Sequence, residues 1–190
     1  PLYSSAASDV YKRQACGRWN PGIGKVVKEV YVNPHSRVYR DLSRDCLVSE
    51  LTRAKLISSA THGKQMLFKF SGHRWLGIHL GMTGSLQIEG SNYQSHKHDA
   101  LILFQSKQAL IFRDPRQFGR LRMHIGKNAP PWWSELPVSM LDQRFKPSVL
   151  STALSRHGKR PVKALLLDQR YFQGMGNWMA DEVLWRAHIH

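Results

Sequence analysis

The chain has 190 residues, 42% of them hydrophobic and spread along its length, enough to bury a core in one or two domains. No apolar run approaches the roughly 20 residues that span a bilayer, and no signal-peptide-like stretch is present; this excludes a membrane helix and predicts a soluble protein, cytoplasmic and nucleoid-associated or otherwise intracellular. A formal net charge of +15 makes a polyanion, nucleic acid first, the expected partner, because no amphipathic cationic helix supports an anionic membrane surface instead.

In chain order, the run from Ser4 to Gln14, Ser-Ser-Ala-Ala-Ser-Asp-Val-Tyr-Lys-Arg-Gln, resembles the in-frame translation of a transposon sequencing adapter. Residues 1–14 are therefore expected to be non-native, with the natural chain beginning near Ala15. Removing them lowers the charge by one and leaves the basic character intact. Cys16 and Cys46 are too far apart for a metal-ligand pair, so no disulfide framework or zinc site is expected, and both read as buried thiols. After the turn signal Trp19-Asn20-Pro21-Gly22 come short β-type segments at Lys25 to Val32, Leu56 to Ser59, Gln65 to Phe70, Trp75 to Leu80, Ser85 to Ile88, Ala100 to Phe104, Ala109 to Phe112 and Arg120 to His124. Cys46 to Lys55 reads as a short helix among them. Many short strands at close spacing predict an antiparallel sandwich or barrel over 15–125. Gly126 to Pro137, with Pro130-Pro131-Trp132-Trp133, reads as the start of a linker or long loop reaching residue 147. Helical spacing then returns at Ser148 to Arg156, Pro161 to Asp168 and Asn177 to Ala187, a second domain over 148–190.

Several residues have a chemical reading beside a plainer one. Lys64, at a strand edge after Gly63, is a compact cation suited to a backbone phosphate, though a solvated strand-end lysine looks the same. Met82 and Phe118 stand next to Thr83-Gly84 and Gly119 at what look like loop tips, where an exposed apolar side chain favours a binding role over core packing. Asn177 follows Gly174-Met175-Gly176 and opens a helix, a place where amides and an Asn side chain suit an anion but where a simple N-cap is nearly as good a reading.

Three stretches in register resemble the formamidopyrimidine-DNA glycosylase family: Gly63 to Leu67 leading to His79-Leu80-Gly81-Met82-Thr83-Gly84-Ser85-Leu86; Lys97-His98-Asp99 leading to Arg113-Asp114-Pro115-Arg116-Gln117-Phe118-Gly119; and Leu167-Asp168-Gln169 leading to Gly174 to Glu182. The resemblance implies an α+β fold, an N-terminal antiparallel two-sheet β-sandwich followed by the beginning of a helix-two-turn-helix domain. It implies duplex DNA carrying a damaged base or abasic site as partner, a monomer, and excision of flipped-out oxidised purines by a glycosylase that is also an AP lyase. It implies that Lys64 contacts a phosphate beside the lesion, that Met82, Arg116 and Phe118 fill and probe the vacated stack, that His98 contacts the backbone, and that Asn177, with Lys163 as a further cation, binds phosphate.

Three departures stand against that pattern. Gln117 occupies the place of a second arginine and Met179 that of a tyrosine, while Pro1-Leu2 replaces the nucleophilic Pro-Glu start. The chain is expected to be a truncated, inactive fragment with no cofactor of its own, the family's four-cysteine zinc finger lying beyond His190. Two other readings remain open at this level: a non-catalytic basic nucleic-acid-binding module, and an endonuclease VIII-like glycosylase for oxidised pyrimidines.

Overall fold

The computed structural model describes residues 15–189 except 41, 63, 64, 138–144 and 174, so the adapter-like residues and Pro1 fall outside the described residues. The chain divides into two compact units, one ending at Ser134 and one beginning at Glu135, each with its own hydrophobic core.

The first unit is a sandwich of two antiparallel four-stranded sheets. Its strands are β1 (Glu29–Val32), β2 (Leu56–His62), β3 (Gln65–Phe70), β4 (Arg74–His79), β5 (Ser85–Gly90), β6 (Asp99–Phe104), β7 (Gln108–Arg113) and β8 (Arg120–Ile125). They pair in the orders β1-β6-β7-β5 and β2-β3-β4-β8. The central strands β6 and β7 are nearly continuous apolar runs because both their faces are covered. Leu101, Leu103, Leu110 and Phe112 face the main core, while Ile102, Ala109 and Ile111 meet Tyr31, Tyr93 and Phe104 on the other side. β3 and β4 each bury three consecutive residues, and from these strands and β8 Met66, Phe68, Phe70, Leu76, Ile78 and Leu121 enter the main core. Trp19 closes the core: its ring lies 4.8 Å from that of Phe68 and its indole N–H donates to the Gln87 carbonyl at 3.2 Å.

The segment expected as one strand from Lys25 to Val32 serves both sheets. Up to Val27 it exchanges backbone bonds with Arg53 to Leu56 at the entrance to β2, and only from Lys28 onward does it pair with β6. The left-handed Gly24 (φ +83°) sets up that crossing. Helix α1 (Arg44–Leu51) starts two residues before the expected Cys46, because the Ser43 hydroxyl caps the Cys46 amide. It stops before the expected Lys55, because Arg53 turns left-handed (φ +67°). Leu47 and Leu51 are its buried stripe, and this leaves Cys46 exposed, contrary to the expected buried thiol; Cys16 is buried, and burial pushes its thiol up to about 11.

Within the stretch expected as open linker, Pro131–Ser134 forms a one-turn helix, α2. Trp132 lies directly on Gly77 of β4, where a Cβ would come within 2.3 Å of the indole ring, so this turn is anchored to the sheet and only a glycine fits beneath it. The second unit packs α3 (Ser148–His157), α4 (Val162–Leu166) and α5 (Asn177–Arg186) around Ala153, Leu165, Leu166, Phe172, Met175 and Ala180. Among the described residues, no helix is long and apolar enough to cross a membrane.

Candidate nucleic-acid interface

One end of the sandwich gathers three loops. The register pairs His79 with Arg120, and both Ser85 and Asp99 with Arg113. The β4–β5 and β7–β8 loops and the end of the β5–β6 loop are therefore neighbours there. Met82 stands out from the first with 73% of its surface exposed, and Phe118 from the second with 51%, although each is a large apolar side chain. The Arg116 guanidinium lies 4.9 Å from the centre of the Phe118 ring. That stack holds a cation and an aromatic plane together without desolvating either fully.

A single buried carboxylate joins these loops. Asp114 is 2% exposed and accepts from the Thr83 hydroxyl at 3.0 Å and from the Gly119 amide at 2.6 Å. Its own amide donates to the His98 carbonyl at 2.9 Å. Gly81 is left-handed (φ +65°), and a Cβ on it would meet the Phe118 carbonyl carbon at 2.6 Å, so the first two loops abut backbone to backbone. The Gly81 amide donates to Nδ1 of His79 at 3.1 Å, which places the proton of the neutral ring on Nε2.

His98 presents an exposed side chain next to the buried Asp99. Asp99 accepts from Arg113 Nε at 2.7 Å, from the Tyr93 hydroxyl at 2.7 Å and from the His96 amide at 2.7 Å. Burial pushes its carboxyl up, but the hydrogen bonds from Arg113, the His96 amide and Tyr93 outweigh burial and hold it below the usual carboxylate value. Burial and the carboxylate push Tyr93 the other way, up to about 12. Asp99 is thus the anchor of the loop that carries His98. Gln117, left-handed at φ +57°, turns its side chain away from the loop tip. Its Oε1 accepts from the Arg37 amide at 3.0 Å, and its carbonyl accepts from Arg40 Nη2 at 3.1 Å.

In the second unit, Gly176 is the N-cap of α5 and Asn177 its first residue, exposed to solvent. The plain N-cap reading of Asn177 therefore fails, because the cap position belongs to Gly176. Nothing lies within 4 Å of where a Gly176 Cβ would be, so the approach is open. Gln169 Nε2 holds the preceding turn by donating to the Met175 carbonyl at 2.9 Å. Lys163 pairs with Asp181 at 2.6 Å, one turn along α5 from Asn177. Lys64 lies outside the described residues; its neighbour Gln65 opens β3 opposite His79, at the loop end of the sandwich.

Two family models match the chain: the formamidopyrimidine-DNA glycosylase N-terminal domain over residues 15–121, and the formamidopyrimidine-DNA glycosylase H2TH domain over residues 136–190. The chain belongs to the formamidopyrimidine-DNA glycosylase family. Curated family members from Rickettsia bellii and Thermus thermophilus are similar to it at 31% identity over 170 residues and 36% over 175, each alignment covering 88% of this chain. It spans 61% and 58% of their lengths. A MutM solved with DNA containing carbocyclic 8-oxo-G has the same fold, with TM-score 0.81 at 24% identity over 96% of this chain and 68% of that one. The Lactococcus lactis enzyme solved with FAPY-dG DNA matches equally, at TM-score 0.81 and 24% identity over the same shares.

Against this family background, Met82, His98, Arg116 and Phe118 come together at the loop end of the first unit, whereas Asn177 and Lys163 belong to the second. Sequence reasoning passed over His79 and Asp114. His79 stood one residue before the end of the expected strand Trp75 to Leu80 and closes β4 in the structure; a His two residues before a glycine at a strand end is the signal that marks it. Asp114 gave no such signal, because its partner Thr83 is 31 residues away.

Proposed function

We propose that this chain is the DNA-gripping part of an intracellular, monomeric DNA glycosylase with AP lyase activity that removes oxidised purines from duplex DNA. The observation that carries the reading is the exposed Met82 set against the Arg116–Phe118 stack, on two abutting loops fixed by the buried Asp114. A base lying inside a duplex cannot be reached by a protein nucleophile, so excision requires flipping, and the gap must be filled by groups that replace lost stacking. Met82 and Phe118 supply apolar wedges, and Arg116 supplies donors for the edge of the base left behind. His98 and His79 on the sandwich, with Asn177 on the helical unit, would hold the backbone. The names of the curated relatives support this reading, as do the 8-oxo-G, FAPY-dG and abasic-site DNA bound in the related structures.

No described residue is assigned the amine that attacks the sugar carbon. Among the described residues, no group of three or more His, Cys, Asp or Glu side chains could hold a metal. Binding to a duplex with a central abasic-site analogue, compared with the same duplex undamaged, tests the proposal. The abasic duplex should bind more tightly, and Arg116→Ala should remove that preference while leaving affinity for undamaged duplex nearly intact. Equal affinity of the unaltered chain for the two duplexes would sink it.

A further inference from the structure

The segment from Asn33 to Arg40 is a fourth piece of backbone at the loop end, and it is tied to two of the three loops. Asn33 Nδ2 donates to the carbonyls of Lys97 and Asp99, both at 3.1 Å, on either side of His98. The Asn33 Oδ1 accepts from the His35 amide at 3.0 Å. Further along, Gln117 of the wedge loop takes the Arg37 amide on its Oε1 and Arg40 Nη2 on its carbonyl. Val38 and Tyr39 are buried beneath the turn, and the Tyr39 hydroxyl donates to the Ala100 carbonyl. His35, Arg37 and Arg40 are therefore exposed side chains on a backbone held at both ends and from below.

The charge of this stretch has one sign in excess. From Asn33 to Asp45 the sequence holds Arg37, Arg40 and Arg44 against Asp41 and Asp45, so it is net cationic even with Asp41, which lies outside the described residues, counted in full. Arg40 Nε donates to the Arg37 carbonyl at 3.3 Å and Arg44 Nη2 to the Ser36 carbonyl at 3.1 Å. A carbonyl aims a guanidinium without neutralising it. His35, Arg37, Arg40, Arg44 and Asp45 are among the residues that line an open cavity of about 810 Å³. Arg40 also lines a smaller cavity of about 230 Å³ that reaches Phe118, so the basic turn and the wedge share one continuous surface.

We propose that Arg37, with His35 beside it, holds a backbone phosphate of the duplex next to the step that the wedge enters. The inference rests on the DNA-binding reading above. Gln117 carries no charge, and its bonds bring in a cation from 80 residues away to stand beside Phe118. The planar fork of an arginine matches the two unesterified oxygens of a phosphodiester, and such a contact fixes the register of the duplex without reading its sequence. Excess positive charge and continuity with the wedge both select the same duplex as the occupant.

The test is the salt dependence of binding to duplexes with and without a central abasic analogue. Arg37→Gln leaves the backbone amide that Gln117 accepts in place, so it removes the cation and spares the brace. Loss of one phosphate contact should flatten the slope of log affinity against log salt by about 0.9, for both duplexes alike, with the abasic preference kept. Arg37→Lys should restore the slope, which guards against a folding defect in the Gln variant. Lys107→Gln, an equal loss of charge at an exposed site on the turn between β6 and β7 at the opposite end of the sandwich, should leave the slope as it is. An unchanged slope in Arg37→Gln, one that Arg37→Lys does not restore, an equal flattening in Lys107→Gln, or loss of the abasic preference in Arg37→Gln would overturn the phosphate site while leaving the wedge reading standing. Failure of the unaltered chain to bind either duplex would overturn both.

Discussion

The loop end of the sandwich and the start of α5, both assigned to DNA in the proposed reading, are built in opposite ways. At the loop end, apolar side chains stand in water on backbones pinned from beneath by a buried carboxylate. At the helix start, a polar side chain stands exposed after an open glycine turn, and the nearby cation is already paired. Inserting into a base stack requires a wedge that does not give way, because any freedom it has must be lost on binding. A phosphate contact is forgiving, since a hydrogen bond to an anionic oxygen tolerates a broad range of approach. The first region should therefore decide which duplex is bound and the second how tightly any duplex is bound.

The hardest way to break that contrast is to remove the pin. Asp114→Ala leaves the Thr83 hydroxyl and the buried Gly119 amide without an acceptor, a cost of roughly 2–5 kcal/mol in stability. It should also free the two loops from one another. Thermal melts should show the first effect, and titration of paired abasic and undamaged duplexes the second. Asp114→Asn, which keeps one acceptor oxygen, should recover most of the stability. If Asp114→Ala melts lower yet keeps the full abasic preference, the loops are held by something else.

Acid sharpens the comparison next. Asp99 in the sandwich and Asp168 in the helical unit are both held below the ordinary carboxylate value. In Asp99 the bonds from Arg113, the His96 amide and Tyr93 overcome burial. In Asp168 the Arg170 side chain leads, joined by the Arg170 amide and Arg160. A depressed folded value means that each contribution is complete above the unfolded value of about 3.9 and is lost as pH falls through the folded one. Asp99 is buried, whereas Arg170 and Arg160 lie in solvent, which screens their pull on Asp168. Asp99→Asn should therefore lower the melting temperature clearly at neutral pH, and the gap to the unaltered chain should close below pH ~4. Asp168→Asn should show the same trend with a smaller gap. A gap that widens on acidification would reverse the assigned sign.

How far this was legible in the sequence follows from where each interaction is made. The sandwich could be read from strands such as β8, whose Leu121 and Met123 alternate with Arg120, Arg122 and His124. The exposure of Met82 and Phe118 could be read because both sit beside turn residues, where a loop tip competes with core packing. Boundaries set by single caps or left-handed residues, at Ser43, Arg53 and Gly24, were not legible, since periodicity does not register them. Gln117 read only as a missing arginine. It is instead a brace between the wedge loop and the Arg37–Arg40 turn, and that partnership spans 80 residues of sequence. Asp114 was hidden for the same reason.

The smallest effects lie at the helix start and test whether it is truly indifferent to the lesion. Asn177→Ala removes an exposed amide that is not at the N-cap position, so it should leave the melting temperature almost unchanged. If the amide meets a phosphate, the loss is about 1 kcal/mol, roughly fivefold in affinity, and equal for abasic and undamaged duplexes because a phosphate carries no information about the base. Lys163→Ala should do less still. Its ammonium already lies 2.6 Å from Asp181, both groups are well exposed, and an exposed pair of that kind contributes about 0–1 kcal/mol. Removing the lysine also leaves Asp181 as an uncompensated negative charge one turn from Asn177, which should weaken every duplex slightly and more at low salt than at high. The double variant Lys163→Ala/Asp181→Ala should then bind as the unaltered chain does. If Lys163→Ala alone weakens binding tenfold, the lysine leaves Asp181 to meet DNA directly, and the helix start is a stronger grip than its paired cation suggests.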